Sequence, residues 1–205
     1  MFNHRLREVR DLCEYRVTGA GTTPASIGGL IVDARDWRVD TFIVMTDAPR
    51  SEPIPVPRSC FRSLDDDSRT LTFEITGEDL ATAGVHSGRE LQGTPRFDAV
   101  SLPGHTLYGR DEPAGTIADL LINIELWQLR YFIVESDTAV VLTDIEWASS
   151  LARGSDKVEV DLPAIAISTA PPYESIRNLC SGDEEALYRH YTRSEYVSLD
   201  RTAGK

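Results

Sequence analysis

With 205 residues, 41% hydrophobic and 26% charged, the chain has ordinary globular composition and room for one large domain or two small ones. Its 21 Lys+Arg against 33 Asp+Glu give a net charge of -12 and a pI near 4.7, the wrong sign for neutralising phosphates or anionic headgroups, so neither nucleic acid nor a lipid surface is an expected partner. No stretch approaches the roughly 18 apolar residues of a membrane span, and Cys13, Cys60 and Cys180 are too scattered for a disulfide framework or a zinc site, which points to a soluble protein of the reducing cytoplasm.

The first strong signals along the chain are two short apolar runs, Leu30-Ile31-Val32 and residues 37–44. They are rich in β-branched and aromatic residues and are separated by the polar break Asp33-Ala34-Arg35-Asp36, so they predict a hairpin that opens its second strand with Trp37. Residues 54–61 and 71–75 predict two further strands around the turn-forming Asp65-Asp66-Asp67. Residues 86–96, polar and carrying Gly and Pro without periodicity, read as a linker. Beyond it, Val140-Val141-Leu142 and the strictly alternating Val158-Glu159-Val160-Asp161-Leu162 are strands again. Ala170-Pro171-Pro172 stops this pattern, and residues 181–191, with a Ser cap candidate, early acids and late bases, predict one short helix.

The halves of the chain repeat one another. Residues 25–47 and 115–137 align at an offset of 90, with Ile27/Ile117, Leu30/Leu120, Trp37/Trp127, Phe42/Phe132, Ile43/Ile133, Val44/Val134 and Asp47/Asp137 identical. Upstream the same offset relates Val17 to Leu107 and Leu12 to Leu102. Downstream the best alignment shifts to 86, matching Phe61 with Trp147 and Val56 with Leu142, because the first copy carries extra residues around 48–55. Five or six short strands in about 80 residues need their edges covered, and a small closed barrel is the usual solution. The expected architecture is therefore mainly β: two tandem small antiparallel barrels over 1–85 and 97–176, joined by the 86–96 linker, with a helical tail over 177–205.

This arrangement resembles the PRC-barrel family, and the residues that carry the resemblance are Ile27-Gly28-Gly29-Leu30-Ile31-Val32-Asp33, the segment from Trp37 to Val44, and Ile54-Pro55-Val56-Pro57. The order of motifs, with Glu14-Tyr15-Arg16-Val17 near the start and an acidic, Tyr-bearing tail over 184–191, is similar to that of tandem bacterial members and covers nearly the whole chain. The resemblance implies small β-barrels acting as adaptors, as in the cytoplasmic domain of the photosynthetic reaction centre H subunit and the C-terminal domain of a ribosome maturation factor. The second copy departs from the pattern, with Ala118-Asp119 where the first has Gly28-Gly29.

Candidate sites follow from breaks in alternation. A strand with one face in the core keeps its other face polar, which Arg38-Asp40 and Gln128-Arg130 obey and Phe42-Val44 and Phe132-Val134 do not. Because both copies break the rule at the same place, Phe42, Val44, Phe132 and Val134 are the candidate protein interface, unless a local helix or the other barrel covers them, and Trp37 and Trp127 are expected in the core. Asp65-Asp66-Asp67 lacks the spaced ligands of a calcium loop and reads as a solvated turn. The four His have no ligand-spaced neighbours, Gly19-Ala20-Gly21 precedes no helix, and no nucleophile stands in a catalytic context, so neither a cofactor nor an enzymatic activity is expected. The reading is a cytoplasmic protein-binding or scaffolding protein, able to self-associate. Its alternative is a small-ligand or metal-dependent protein, hydrolases among them, with a pocket at a seam between the barrels lined by Asp33 and Asp119.

Overall fold

The computed structural model describes residues 5–19, 25–47, 52–75, 96–151 and 156–192, so the expected 86–96 linker lies, apart from Arg96, outside the described residues. The protein is mainly β with a few helices. It divides into two compact units. The first holds Arg7–Ser101 and Leu126–Leu129, and the second holds Met1–Leu6, Leu102–Glu125 and Arg130–Lys205.

In chain order the first half of the sequence forms β1 (Leu6–Glu8), α1 (Val9–Cys13), β2 (Arg16–Thr18), β3 (Ala25–Asp33), β4 (Arg38–Thr46), β5 (Ile54–Pro57), β6 (Phe61–Asp65) and β7 (Thr70–Phe73), and β8 (Arg96–Asp98) follows. In the first unit the pairing runs β5-β4-β3-β2-β7-β6, antiparallel except for the parallel pair β2 with β7, and β8 adds to β3. The piece expected to open the second module thus belongs to the first unit. Asp98 pins it there, its Oδ1 accepting from the backbone N–H of Leu30 at 2.9 Å and of Val100 at 3.0 Å.

The second half forms β9 (Thr106–Tyr108), β10 (Pro113–Asn123), β11 (Gln128–Glu135), β12 (Val140–Asp144), β13 (Ala148–Leu151), β14 (Lys157–Val160), α2 (Ala164–Ser168) and α3 (Ser181–Tyr191). The pairing in the second unit runs β12-β11-β10-β9-β14-β13, again with a parallel pair, β14 with β9, at the matching place. This order matches the first unit strand for strand. In both units a 3-10 turn (Arg58–Cys60; Ile145–Trp147) carries the chain between the two end strands. The described pairings do not join those end strands to each other, so each sheet is open where closed barrels were expected.

Register settles how the copies correspond. Phe42 faces Val56 and Phe132 faces Thr143, so Val56 answers to Thr143, an offset of 143 − 56 = 87 where the sequence alignment had 86. Phe61 pairs with Phe73 and Ala148 with Val160, which makes Ala148, not Trp147, the counterpart of Phe61. The connection of seven residues between β4 and β5, against four between β11 and β12, accounts for the change from 90 to 87.

Trp37 and Trp127 do not open their strands. Each closes the preceding turn in the left-handed region, with φ of 59° and 51°. The turns share one chemistry: the side chain of Asp33 accepts from the N–H of Arg35 at 2.9 Å, and Asn123, 90 residues on, accepts from that of Glu125 at 3.0 Å. Placed at a turn, Trp37 is only half-buried, its ring edge-on to Phe97 at 5.4 Å, which corrects its expected core position. Trp127 is 3% exposed, packed in the first unit against Phe42 at 4.7 Å and Phe61 at 4.8 Å. There the N–H of Val39 donates to the carbonyl of Trp127 at 2.8 Å and that of Leu129 to Trp37 at 2.9 Å, so equivalent residues pair across Arg38 and Gln128.

Candidate functional site

The four interface candidates are in the core. Phe42, Val44, Phe132 and Val134 are all 0% exposed. Alternation cannot be carried across a bulge: the pairing of β3 with β4 shifts register between Ile31/Thr41 and Val32/Val39, which puts Phe42 and Val44 on the core face with Ile43 partly exposed, while in β11 Tyr131 to Val134 are buried on both faces. Phe42 is enclosed by Phe61, Phe73 and Trp127, with centroids 6.3, 5.0 and 4.7 Å away. As the protein stands, none of the four can meet a partner. Asp33 is taken up by Arg35, which holds its carboxyl below the usual range, and Asp119 is buried in the second unit with Oδ1 accepting from the N–H of Leu120 at 2.8 Å. The turn at Asp65-Asp66-Asp67 is structural: Asp66 pairs with Arg7 and accepts from the Tyr15 hydroxyl at 2.7 Å, while burial, followed by that hydrogen bond to Asp66, pushes Tyr15 up to about 12.

A surface that can take a ligand lies in the second unit and is made by α3. Its N-cap is Cys180, one residue before the expected Ser cap, because Asp183 reaches back to accept from the Cys180 N–H at 2.8 Å, the reciprocal half of a capping box. Glu185 and Arg189 bridge one turn on the outside. Leu187, His190 and Tyr191, at helical spacing, form the buried face. The Nε2–H of His190 donates to the carbonyl of Ala166 in α2 at 2.7 Å, and the Tyr191 hydroxyl donates to the carbonyl of Leu142 at 2.6 Å beside the buried Thr143. Over its described residues, 177–192, the expected tail is thus an anchored part of the second unit.

Between α3 and the strands β11, β12 and β13 this docking leaves a cleft of about 670 Å³. Tyr131 lies at its floor and Trp147 on its wall, and Tyr188 stands out from the helix at 71% exposure. Arg130 lies over the Tyr131 ring at 5.6 Å, 3.7 Å from Asp144 and 3.6 Å from Glu146. The Tyr131 hydroxyl donates to Glu184 at 3.3 Å. Burial raises the Asp144 carboxyl above its usual range despite the Glu146 N–H at 2.9 Å and Arg130. Burial, with the charges of Glu184 and Asp144 behind it, pushes Tyr131 up to about 12. The lining holds Asp144, Glu146, Asp161, Glu184 and Glu185 against Arg130, a balance of 1 − 5 = −4. Arg110 and Arg189 reach Asp161 and Glu185 from outside and offset two of these charges. Such a site attracts cations with planar or apolar surface.

In the sequence Trp147 stands out only as a repeat match and 184–191 only as an acidic, Tyr-bearing tail, neither as part of a site. The one usable signal is Thr143, a polar residue following the apolar run Val140-Val141-Leu142, where the first copy has Val56. Among the described residues no three His, Cys, Asp or Glu side chains are grouped to hold a metal ion, and no helix is long and apolar enough to cross a membrane. No protein-family model matches the chain, and no curated protein matches it.

Proposed function

We propose that the protein is a non-catalytic cytoplasmic adaptor, built from two modules of PRC-barrel type, that receives a protein partner in the α3 cleft of its second unit. The strand motifs and the matching strand orders support the PRC-barrel reading, with the chain through each 3-10 turn bridging the open edge in place of hydrogen bonds. The cleft carries the functional reading. It is concave and lined by aromatic rings and carboxylates, and it has at its edge Tyr188, one of three large hydrophobic residues exposed among the described residues. Capture from native lysate with the wild-type chain and with Tyr188→Ala, compared by quantitative mass spectrometry, tests this. A specific set of retained proteins should drop out with the variant while its melting temperature stays unchanged. Identical capture by both removes the cleft as the docking site.

The cleft volume also falls within the roughly 300–1,000 Å³ common for small-molecule sites, which favours a second reading as a binder of a small cationic ligand. Native mass spectrometry of protein from its own cells separates the two, since a resident small molecule adds a fixed mass that Tyr188→Ala loses.

A further inference from the structure

We infer that the α3 cleft is selective for arginine: its occupant is an exposed, flexible segment of a protein partner that inserts an arginine side chain. The inference rests on the adaptor reading above and names the chemistry of that site. Two separate features select arginine over other cations. The lining includes the aromatic rings of Trp147 and Tyr188, and a planar guanidinium stacks on such rings while an ammonium remains a hydrated point charge. The carboxylates come from two elements, Glu146 in the 3-10 turn that follows β12 and Glu184 on the first turn of α3, so the lining offers acceptors to a fork of N–H donors from more than one side.

The protein already displays this mode of recognition with its own side chain. Arg130 lies over Tyr131 and within 4 Å of Asp144 and Glu146. It neutralises part of the cleft and leaves Glu184, which among the described residues has a hydroxyl partner in Tyr131 and no cation within ion-pair distance. Glu146, shared with Arg130 and 75% exposed, retains acceptor capacity for an incoming donor. The charge balance of −4 on the lining, reduced to −2 by Arg110 and Arg189, gives the complementarity that a cationic segment requires.

The test is fluorescence anisotropy with labelled Gly/Ser peptides that carry two Arg, two Lys or two Glu, titrated with the full chain. The Arg peptide should bind several-fold tighter than the Lys peptide and the Glu peptide not at all, with affinity falling as salt rises. Glu146→Gln with Glu184→Gln, which keeps shape and removes charge, should weaken the Arg peptide by about tenfold or more. Tyr188→Ala should erase the Arg-over-Lys preference, and Asp67→Asn on the first unit should change nothing. Equal affinity for Arg and Lys peptides, or an Arg affinity unmoved by the double Gln variant, overturns the inference. If lysate capture still depends on Tyr188 in that case, the adaptor reading stands with a different occupant. Tighter binding of free spermidine than of the Arg peptide moves the cleft to the small-ligand reading.

Discussion

In the first unit Phe42 is packed by Phe61, Phe73 and Trp127, an all-aromatic cluster under one strand order. In the second unit the same strand order places Ala148 and Val160 where the first has Phe61 and Phe73, and Thr143 and Asp144 where it has Val56 and Pro57. Aromatic bulk has left the end of the sheet and polar groups have entered beside it. Those polar groups serve α3: the Leu142 carbonyl and Thr143 meet Tyr191, and Asp144 meets the cleft. A repeat that keeps its pairing register can therefore spend one copy on stability and turn the other into a support for an added element, because register depends on strand pattern while the packed end tolerates exchange.

The largest expected effect separates the two tryptophans. Trp127→Ala should cost about 3–5 kcal/mol in urea unfolding, the usual result of deleting a buried large aromatic, whereas the half-buried Trp37 should cost clearly less. Equal losses would break the distinction between a core anchor and a turn residue. The Trp127 indole N–H is buried without a hydrogen-bond partner among the described residues, so Trp127→Phe forfeits ring area and no hydrogen bond and should cost well under the Ala change.

The docking of α3 comes next. Tyr191→Phe removes the hydroxyl bonded to Leu142 and should cost about 1 kcal/mol, read by thermal unfolding of the full chain. Asp183→Ala removes half of the capping box and should also cost about 1 kcal/mol. If either variant leaves stability unchanged, α3 is not anchored as described.

The smallest effect is a pH dependence. Because burial raises Asp144 above its ordinary 3.8, the folded state holds that proton more tightly than the unfolded state does. Its contribution to stability is therefore most favourable at low pH and declines as pH rises from 3.8 through the folded value. Asp144→Asn removes this term, so the variant should gain on wild type between acid and neutral pH. Asp33 has the opposite sign: the neighbouring Arg35 depresses it, and its contribution, present above 3.8, is lost as pH falls through the folded value. An Asp144→Asn variant that loses ground to wild type as pH rises from acid to neutral would contradict the assignment.

The strands, the repeat and the helix over 181–191 were legible because each is written in local pattern: alternation, a turn residue set and early acids with late bases. The exact correspondence downstream was not, since an offset of 86 matches Phe61 to Trp147 by similarity of side chain, and only the pairing of Phe61 with Phe73 and of Ala148 with Val160 fixes it at 87. The expected interface failed for a different reason. Phe42 and Phe132 were recognised as apolar on an unexpected face, and what covers a face is a tertiary fact that no window of sequence contains. The cleft is less legible still, because Tyr131, Asp144, Trp147, Glu184 and Tyr188 come together only once α3 folds back, 53 residues separating Tyr131 from Glu184.

Hydrogen-exchange mass spectrometry with and without saturating Arg peptide tests the division of labour between the units most directly. The account predicts added protection in peptides covering 130–135, 144–149 and 184–192 of the second unit and none over 54–73 of the first. Protection in the first unit, or unchanged exchange throughout at full occupancy, would contradict it.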